Sequence, residues 1–127
     1  KKMYLKVSDL YIRNEAPRVD ANADIKSVIV EISSKRLGAT IVEEGDKLIG
    51  IITDGDLRRM LEKYSNIEGI VARDIMSADP KTIQSDSLVV NALDMMRKNN
   101  ITQLAVRDDG KYVGIIHLHD ILKEGIL

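Results

Sequence analysis

The chain has 127 residues, of which 44% are apolar and 31% are charged, and its net charge is −1. This balance is typical of a folded globular protein and excludes both intrinsic disorder and a strong electrostatic attraction to nucleic acid. The lack of cysteine excludes disulfides, and no apolar run reaches the roughly 20 residues of a membrane span. We expect one ordinary domain or two very small ones, located in the cytoplasm, with no nucleic-acid or membrane partner.

The sequence contains an internal repeat, which decides how its elements are interpreted. "GIITDGD" (50–56) returns 64 positions later as "GIIHLHD" (114–120). A slip of one residue further upstream places Pro17 on Pro80. Self-similarity over this period indicates two copies of one supersecondary unit.

The repeats define the domain organisation. The first covers residues 7–63, the second covers residues 72–125, and a polar linker at 64–71 joins them. A unit of about 55 residues is marginally stable alone. We therefore expect the two copies to bury matching apolar faces against each other around a pseudo-two-fold axis, with a cleft between them.

Each repeat is predicted to run strand, helix, strand, strand, helix. After a short strand, apolar residues at helical spacing predict the first helix. In the first repeat these are Ile25, Val28, Ile29 and Ile32 behind Asp24; in the second they are Leu88, Ala92, Met95 and Met96 behind Ser87. Two strands joined by a turn follow, and a short helix ends the repeat. The predicted ranges are 39–43, 48–53 and 56–62, and then 103–107, 112–117 and 119–124. The predicted fold class is α+β.

The junction between the last strand and the last helix of the first repeat contains residues that could bind a ligand. Thr53 ends the strand, and Gly55 and Asp56 begin the helix. Unpaired N–H groups of a first helical turn, together with the Thr53 hydroxyl, suit a phosphate. The Asp56 carboxylate suits two vicinal ribose hydroxyls. These residues predict a nucleotide site, whereas the alternative interpretation makes Asp56 only a helix cap and Thr53 only a strand residue.

The second repeat keeps the carboxylate as Asp120 but replaces the threonine by His117, followed by His119. The H-x-H pair could share a metal with Asp120. No further ligand is evident, and we expect the strand-to-helix transition to separate the rings, so no metal is predicted. The alternative is that both imidazoles line the second site as neutral or protonated donors to a carboxylate or phosphate.

Other polar residues leave two interpretations open. Arg58 and Arg59 are either solubilising surface residues, or one of them reaches a phosphate or an oligomer partner. "DGD" (54–56) fits a tight turn better than a cation site, because it lacks the further oxygen ligands of a calcium loop. No catalytic triad, P-loop or complete metal cluster is found. We predict no catalytic residues and no required cofactor.

The duplicated ending "G-apolar-apolar-(Ser/Thr)-x-x-Asp" with this element order resembles tandem CBS domains, the Bateman module. The resemblance covers nearly the whole chain. It implies a regulatory module that senses nucleotides, usually AMP, ADP or ATP, in the cleft between the repeats. Thr53 would contact phosphate, and Asp56 and Asp120 would contact ribose. His117 departs from the pattern.

"TDGDLRR" (53–59), "RLGATIV" (36–42), "DIMS" (74–77) and "GIIHLHDIL" (114–122) together resemble the C-terminal part of bacterial arabinose-5-phosphate isomerases. This family carries an N-terminal sugar isomerase (SIS) domain and interconverts ribulose 5-phosphate and arabinose 5-phosphate for Kdo and lipopolysaccharide or capsule synthesis. The resemblance implies an excised, non-catalytic regulatory fragment. It also implies a homodimer of CBS pairs within a tetrameric enzyme, and CMP-Kdo becomes a candidate effector that would explain the histidines.

Two alternative functions fit the same residues. The CBS pair could serve only as a dimerisation scaffold with vestigial sites. It could also be the adenosine-nucleotide sensor of a different host enzyme or transporter.

Overall fold

The computed structural model describes residues 4–125. Its elements in chain order are α1 (Val7–Tyr11), β1 (Arg18–Asp20), α2 (Ile25–Lys35), β2 (Ala39–Glu44), β3 (Lys47–Thr53), α3 (Asp54–Lys63), α4 (Ala72–Ile75), β4 (Ser77–Ala78), β5 (Thr82–Gln84), α5 (Val89–Asn99), β6 (Gln103–Asp108), β7 (Lys111–His117) and α6 (Leu118–Leu122). Both repeats have the predicted order, β1-α2-β2-β3-α3 and β5-α5-β6-β7-α6. The α+β prediction is confirmed. The short elements α1, α4 and β4 were not predicted.

The described chain forms two compact units. The middle unit is Pro17–Pro80, and the outer unit joins residues 4–16 to residues 81–125. The units divide the chain at other points than the sequence repeats do, because α1 and α4 each pack outside their own repeat. Between residues 4 and 125, no helix has both the length and the apolar character that crossing a bilayer requires.

Backbone hydrogen bonds fix α1 and α4, which we call the exchanged helices because each packs in the unit of the other repeat. In the outer unit, the Val7 N–H donates to the Ser87 carbonyl oxygen over 2.8 Å, which ties α1 to the entrance of α5. In the middle unit, the Ala72 N–H donates to the Ala23 carbonyl oxygen over 2.8 Å, which ties α4 to the entrance of α2. Val7 and Ala72 are both fully buried. Each leading helix therefore completes the core built by the other repeat.

The middle unit is built on a four-stranded sheet in the order β1-β2-β3-β4, in which only the β1–β2 pair is parallel. Helix α2 packs onto this unit through Ile25, Val28 and Ile32, as its helical spacing predicts. Ile29 was predicted on the same face but is 39% exposed. The buried face of α2 is centred on Val28, so Ile29 lies at the edge of that face.

The outer unit repeats this plan with a three-stranded sheet in the order β5-β6-β7. In the two units, Gly50 pairs with Val42 and Gly114 pairs with Val106, each beside a bulge. A Cβ at Gly114 would lie 2.8 Å from Cδ1 of Tyr11, which is closer than real carbon contacts allow. Glycine is needed there because the exchanged N-terminal segment rests directly on the strand.

Candidate ligand-binding turns

Each repeat ends in a strand-to-helix turn. We call Thr53–Asp56 the first turn and His117–Asp120 the second turn. Helix α3 begins at Asp54, two residues earlier than predicted, because Thr53 is already the N-cap. Helix α6 covers Leu118–Leu122 instead of 119–124, with His117 as its N-cap. The residue type that differs between the repeats is thus the capping residue itself.

The first turn is a reciprocal capping box. The Thr53 N–H donates to Asp56 Oδ2 over 2.9 Å, and the Asp56 N–H donates to Thr53 Oγ1 over 3.3 Å. The Thr53 hydroxyl also lies 3.2 Å from Asp56 Oδ2. This arrangement satisfies two N–H groups that would otherwise lack partners at the start of α3. The cap interpretation therefore describes the contacts of Asp56 in this structure, and its contact with ribose stays a prediction.

The second carboxylate oxygen of Asp56 is held by side chains. Arg59 Nη2 lies 2.7 Å from Asp56 Oδ1, and the Ser77 hydroxyl donates to the same oxygen over 3.5 Å. Asp56 is only 8% exposed, whereas the Arg59 side chain is 68% exposed. A Cβ at Gly55 would lie 3.4 Å from the guanidinium nitrogens, so Arg59 folds back over Gly55. Because Arg59 is largely solvated, a ligand can replace it at little energetic cost.

The second turn is tied down differently. The His117 N–H donates to Asp120 Oδ2 over 2.8 Å, as in the first turn. The Asn14 side-chain amide donates to the same oxygen over 2.9 Å and to the Ile115 carbonyl oxygen over 3.0 Å. The carboxylate of Asp120 is therefore fixed by the chain segment that follows α1.

The imidazole of His117 acts as an acceptor. Its Nδ1 accepts the His119 N–H over 2.9 Å, which places the proton of the neutral ring on Nε2. Burial lowers the pKa of His117 below its ordinary value, His119 and Lys123 lower it further, and Asp120 opposes them. The neutral-donor interpretation therefore suits His117 near neutral pH.

The two histidine rings are close together. Their centroids are 4.6 Å apart and their planes are tilted by 46°, so the expectation that the turn separates the rings is wrong. The rings meet because a histidine N-cap directs its imidazole back over the first helical turn, where His119 lies. Within residues 4–125, no three His, Cys, Asp or Glu side chains form a group that could hold a metal ion.

Sequence reasoning missed two residues of these sites, Asn14 and Ser77. Each reaches the aspartate of one turn from a segment that follows an exchanged helix. A signal was present, because the slip that aligns Pro17 with Pro80 also aligns Asn14 with Ser77. Two polar residues at equivalent positions, three before a proline, mark a repeated contact.

The first turn borders a small cavity in the middle unit. Its volume is about 160 Å³, and its polar lining comprises Asp56, Arg59, Lys63, Tyr64 and Asp74. Pockets that enclose drug-sized ligands usually start at about 300 Å³. The cavity by itself is thus too small to enclose a nucleotide.

The turns, the element order and the exchanged helices define a family. Residues 7–63 and residues 72–126 match the family model described as "CBS domain". The chain therefore belongs to the CBS domain family and is a tandem CBS pair, which confirms the resemblance drawn from the repeated motif.

Curated relatives place this pair more closely. The chain is 41% identical over 125 residues to arabinose 5-phosphate isomerase KdsD of Francisella tularensis, which covers 97% of this chain and 38% of the relative. It is 33% identical over 129 residues to the isomerase of the same name from Salmonella typhi, which covers 100% of this chain and 39% of the relative. The chain thus spans about two-fifths of the length of these relatives.

Solved structures show the same fold. A CBS-domain containing protein of Agrobacterium tumefaciens superposes with a TM-score of 0.84 at 22% identity, covering 98% of this chain and 96% of that chain. A CBS domain protein of Pyrobaculum aerophilum complexed with AMP gives a TM-score of 0.81 at 22% identity, covering 94% and 97%. At these identities the likeness establishes the fold alone.

Proposed function

We propose that the chain is the regulatory CBS pair of an arabinose 5-phosphate isomerase and binds a nucleotide or nucleotide-sugar at its turns. The observation that carries this proposal is the duplicated aspartate, held in both units at the start of the last helix and reached by the equivalent residues Asn14 and Ser77. The third helical residue of a capping box, the position of both aspartates, is usually Glu or Gln. Keeping aspartate in both copies, while the N-cap residue varies, favours a ligand-binding role for the carboxylate.

The first turn suits a nucleotide. The Thr53 hydroxyl and the N-terminal end of the ten-residue helix α3 favour a phosphate. Asp56 Oδ1 would accept the ribose hydroxyls in exchange for Arg59, and the released guanidinium would then be free to meet the phosphate. The solved neighbour from Pyrobaculum aerophilum is complexed with AMP, which supports an adenosine nucleotide as one candidate ligand.

The second turn suits an acidic sugar. Neutral His117 would donate from Nε2 to an acceptor on the ligand, and the exposed His119 lies beside it. A sugar-acid carboxylate fits two neighbouring imidazoles better than it fits a single hydroxyl. CMP-Kdo combines such a carboxylate with ribose hydroxyls for Asp120, so we propose it as the second candidate effector.

The parent enzyme is proposed from the relatives. Because the chain covers only 38–39% of them, the remainder would supply an N-terminal SIS domain that interconverts ribulose 5-phosphate and arabinose 5-phosphate for Kdo synthesis in the cytoplasm. Ligand binding would favour one arrangement of the CBS pair and pass this preference to the catalytic domain. This preference would reach the catalytic domain through a homodimer of CBS pairs within a tetramer.

Calorimetry on this chain tests the proposal. We expect binding of CMP-Kdo, AMP or ATP, weakened at least tenfold by Asp56→Asn or Asp120→Asn, because a carboxylate accepts from two hydroxyls and an amide oxygen does so less well. Asp94→Asn is the control, since Asp94 lies on the exposed face of α5 and pairs only loosely with Lys98 at 3.7 Å. If CMP-Kdo binds, His117→Ala should weaken it selectively. If AMP binds more tightly than CMP-Kdo and His117→Ala does not weaken AMP binding, CMP-Kdo is not the effector.

A dimerisation scaffold is the second candidate. The observation that favours it is that both aspartates already have internal donors, Arg59 and Ser77 for Asp56, and Asn14 for Asp120. A scaffold gains no stability from nucleotides, whereas a sensor does so by mass action. A melting temperature that stays constant up to millimolar CMP-Kdo, AMP and ATP would establish the scaffold and refute the sensor.

A further inference from the structure

The two turns differ in the charge that stands beside the aspartate. In the first turn, Arg59 Nη2 lies 2.7 Å from Asp56 Oδ1, so a permanent cation balances the carboxylate. In the second turn, the position that aligns with Arg59 is Lys123, which is exposed. Within residues 4–125, Asp120 forms no ion pair. An acidic ligand at the second turn therefore meets an unbalanced carboxylate, which repels it.

Two imidazoles stand at the second turn instead of a permanent cation. The ring centroids of His117 and His119 are 4.6 Å apart, so one acidic group of a ligand can lie against both. His117 Nδ1 already accepts the His119 N–H over 2.9 Å, and a proton on this nitrogen would break that hydrogen bond. The exposed ring of His119 forms no hydrogen bond within the described chain. His119 can therefore take a proton without losing a contact.

The charges of α6 keep the proton away from His117. Burial is the largest cause that lowers the pKa of His117 below its ordinary value, the neighbouring imidazole and Lys123 lower it further, and Asp120 opposes them. His117 therefore stays neutral near neutral pH. A proton that accompanies an acidic ligand goes to the other ring of the pair.

The other elements around the second turn add uncharged groups and one ion pair. Gln103 of β6 lies opposite His117 in the sheet, and the amide of Asn14, after α1, contacts Asp120. Beside Asn14, Arg13 pairs with Glu124 over 3.2 Å. Helix α5 meets α6 through apolar core residues. The imidazole pair is thus the group of this turn whose charge changes near neutral pH.

We propose that the second turn binds its acidic ligand together with one proton, which His119 takes up beside neutral His117. This inference rests on the proposed function and adds the regulation of the second turn by pH. An anion beside an imidazole stabilises the imidazolium, so the turn holds the proton more firmly with the ligand than without it. By linkage, the ligand binds more tightly as the pH falls through the range in which histidine titrates. The first turn, with Thr53 and Arg59, binds its ligand without this proton.

Calorimetry with CMP-Kdo tests the proposal, because neither the carboxylate nor the phosphodiester of this probe titrates near neutral pH. Titrations at about pH 7 in two buffers with different heats of ionisation give the number of protons taken up on binding. We expect about half to one proton per ligand. The dissociation constant should be about fivefold lower at about pH 6 than at about pH 7.5.

Two variants locate the proton. His119→Asn should abolish the proton uptake and make the dissociation constant independent of pH. His117→Asn is the matched comparison, because asparagine keeps a capping acceptor and His119 stays in place. It should weaken binding but retain the proton uptake. The chain contains only these two histidines, so no other imidazole can supply the effect.

The outcomes separate this proposal from the proposed function. CMP-Kdo binding with equal affinity at both pH values and without proton uptake would overturn the proton coupling and leave the proposed function intact. Proton uptake that survives in His119→Asn would overturn the assignment to His119. If AMP binds but CMP-Kdo binds at neither pH, the acidic-ligand site is refuted and the nucleotide site stands. No binding of either ligand would refute both proposals.

Discussion

Asn14 donates a 2.9 Å hydrogen bond to Asp120 across 106 positions of sequence, and Ser77 donates a 3.5 Å hydrogen bond to the equivalent Asp56. The two donors occupy the same place in the two repeats. Each aspartate that begins a last helix is therefore oriented by a residue from the leading segment of the other repeat. This pairing couples the geometry of each turn to the exchange of helices.

The two contacts should differ in strength. Asn14→Ala removes partly buried hydrogen bonds to a carboxylate and to the Ile115 carbonyl oxygen, and we expect it to lower the free energy of unfolding by about 1–3 kcal/mol. Ser77→Ala is the matched control and should cost less than about 0.5 kcal/mol, because its hydrogen bond is long. Urea denaturation measures both variants. Equal losses would contradict the importance of the Asn14 contact.

The capping box of the first turn should contribute separately. Thr53→Ala removes the acceptor of the Asp56 N–H, and we expect a loss of about 1 kcal/mol in unfolding free energy. Thr53→Ser keeps the hydroxyl and should stay within about 0.5 kcal/mol of the native chain. Thermal or urea unfolding provides the comparison. If the serine variant loses as much as the alanine variant, the methyl group and not the cap stabilises this position.

The C-terminal end of α2 offers a stabilising change. Arg36 has a φ of 62°, in the left-handed region, and Asn100 has a φ of 53° at the equivalent end of α5. Arg36→Gly should raise the free energy of unfolding by about 0.5–1 kcal/mol, because glycine adopts this conformation without strain. Asn100→Gly should change little, since asparagine tolerates it better. Destabilisation by Arg36→Gly in urea unfolding would show that the arginine side chain outweighs the strain.

His117 should make stability depend on pH. Burial, the largest cause, lowers the pKa of folded His117 below 6.5, and His119 and Lys123 act in the same direction against Asp120. The unfolded chain therefore binds the proton more readily. The contribution of His117 to stability is present above pH 6.5 and declines as the pH falls toward the lower folded pKa.

His117→Asn tests this dependence, because asparagine retains a capping acceptor but does not titrate in this range. When the pH is lowered from 7.5 to 5, the free energy of unfolding should fall less for the variant than for the native chain. These two pH values bracket the ordinary histidine pKa of about 6.5. His119→Asn should keep only part of the native dependence on pH, because burial still lowers the pKa of His117 but the contribution of His119 is lost. Identical pH profiles for the native chain and His117→Asn would refute the assignment.

The order of elements was predictable because the same pattern of apolar residues and turns occurs in both repeats. Helix α2 follows from the helical spacing of Ile25, Val28 and Ile32. Strand β3 follows from the almost wholly apolar run before Thr53. The exchange of α1 and α4 was not predictable in this way. Periodicity reports which face of a helix is buried but not which partner buries it, and α1 spans only five residues.

The candidate sites were predicted in composition but not in arrangement. Thr53, Asp56, His117 and Asp120 lie in the predicted turns, because a repeated motif fixes local geometry. The spacing of Asp56 and Arg59 makes them neighbours on α3, but spacing does not decide whether the flexible Arg59 side chain turns to Asp56 or to a ligand.

The exchange of the leading helices has a consequence for the synthesis of the protein. Val7 and Leu10 are 0% and 1% exposed, and their core partners include Ile116 and Ile121 near the other end of the chain. A growing chain therefore carries these apolar side chains unprotected until the second repeat has left the ribosome. A premature stop codon within the second repeat would leave α1 without its place in any core, so such products should be recognised by chaperones and proteases.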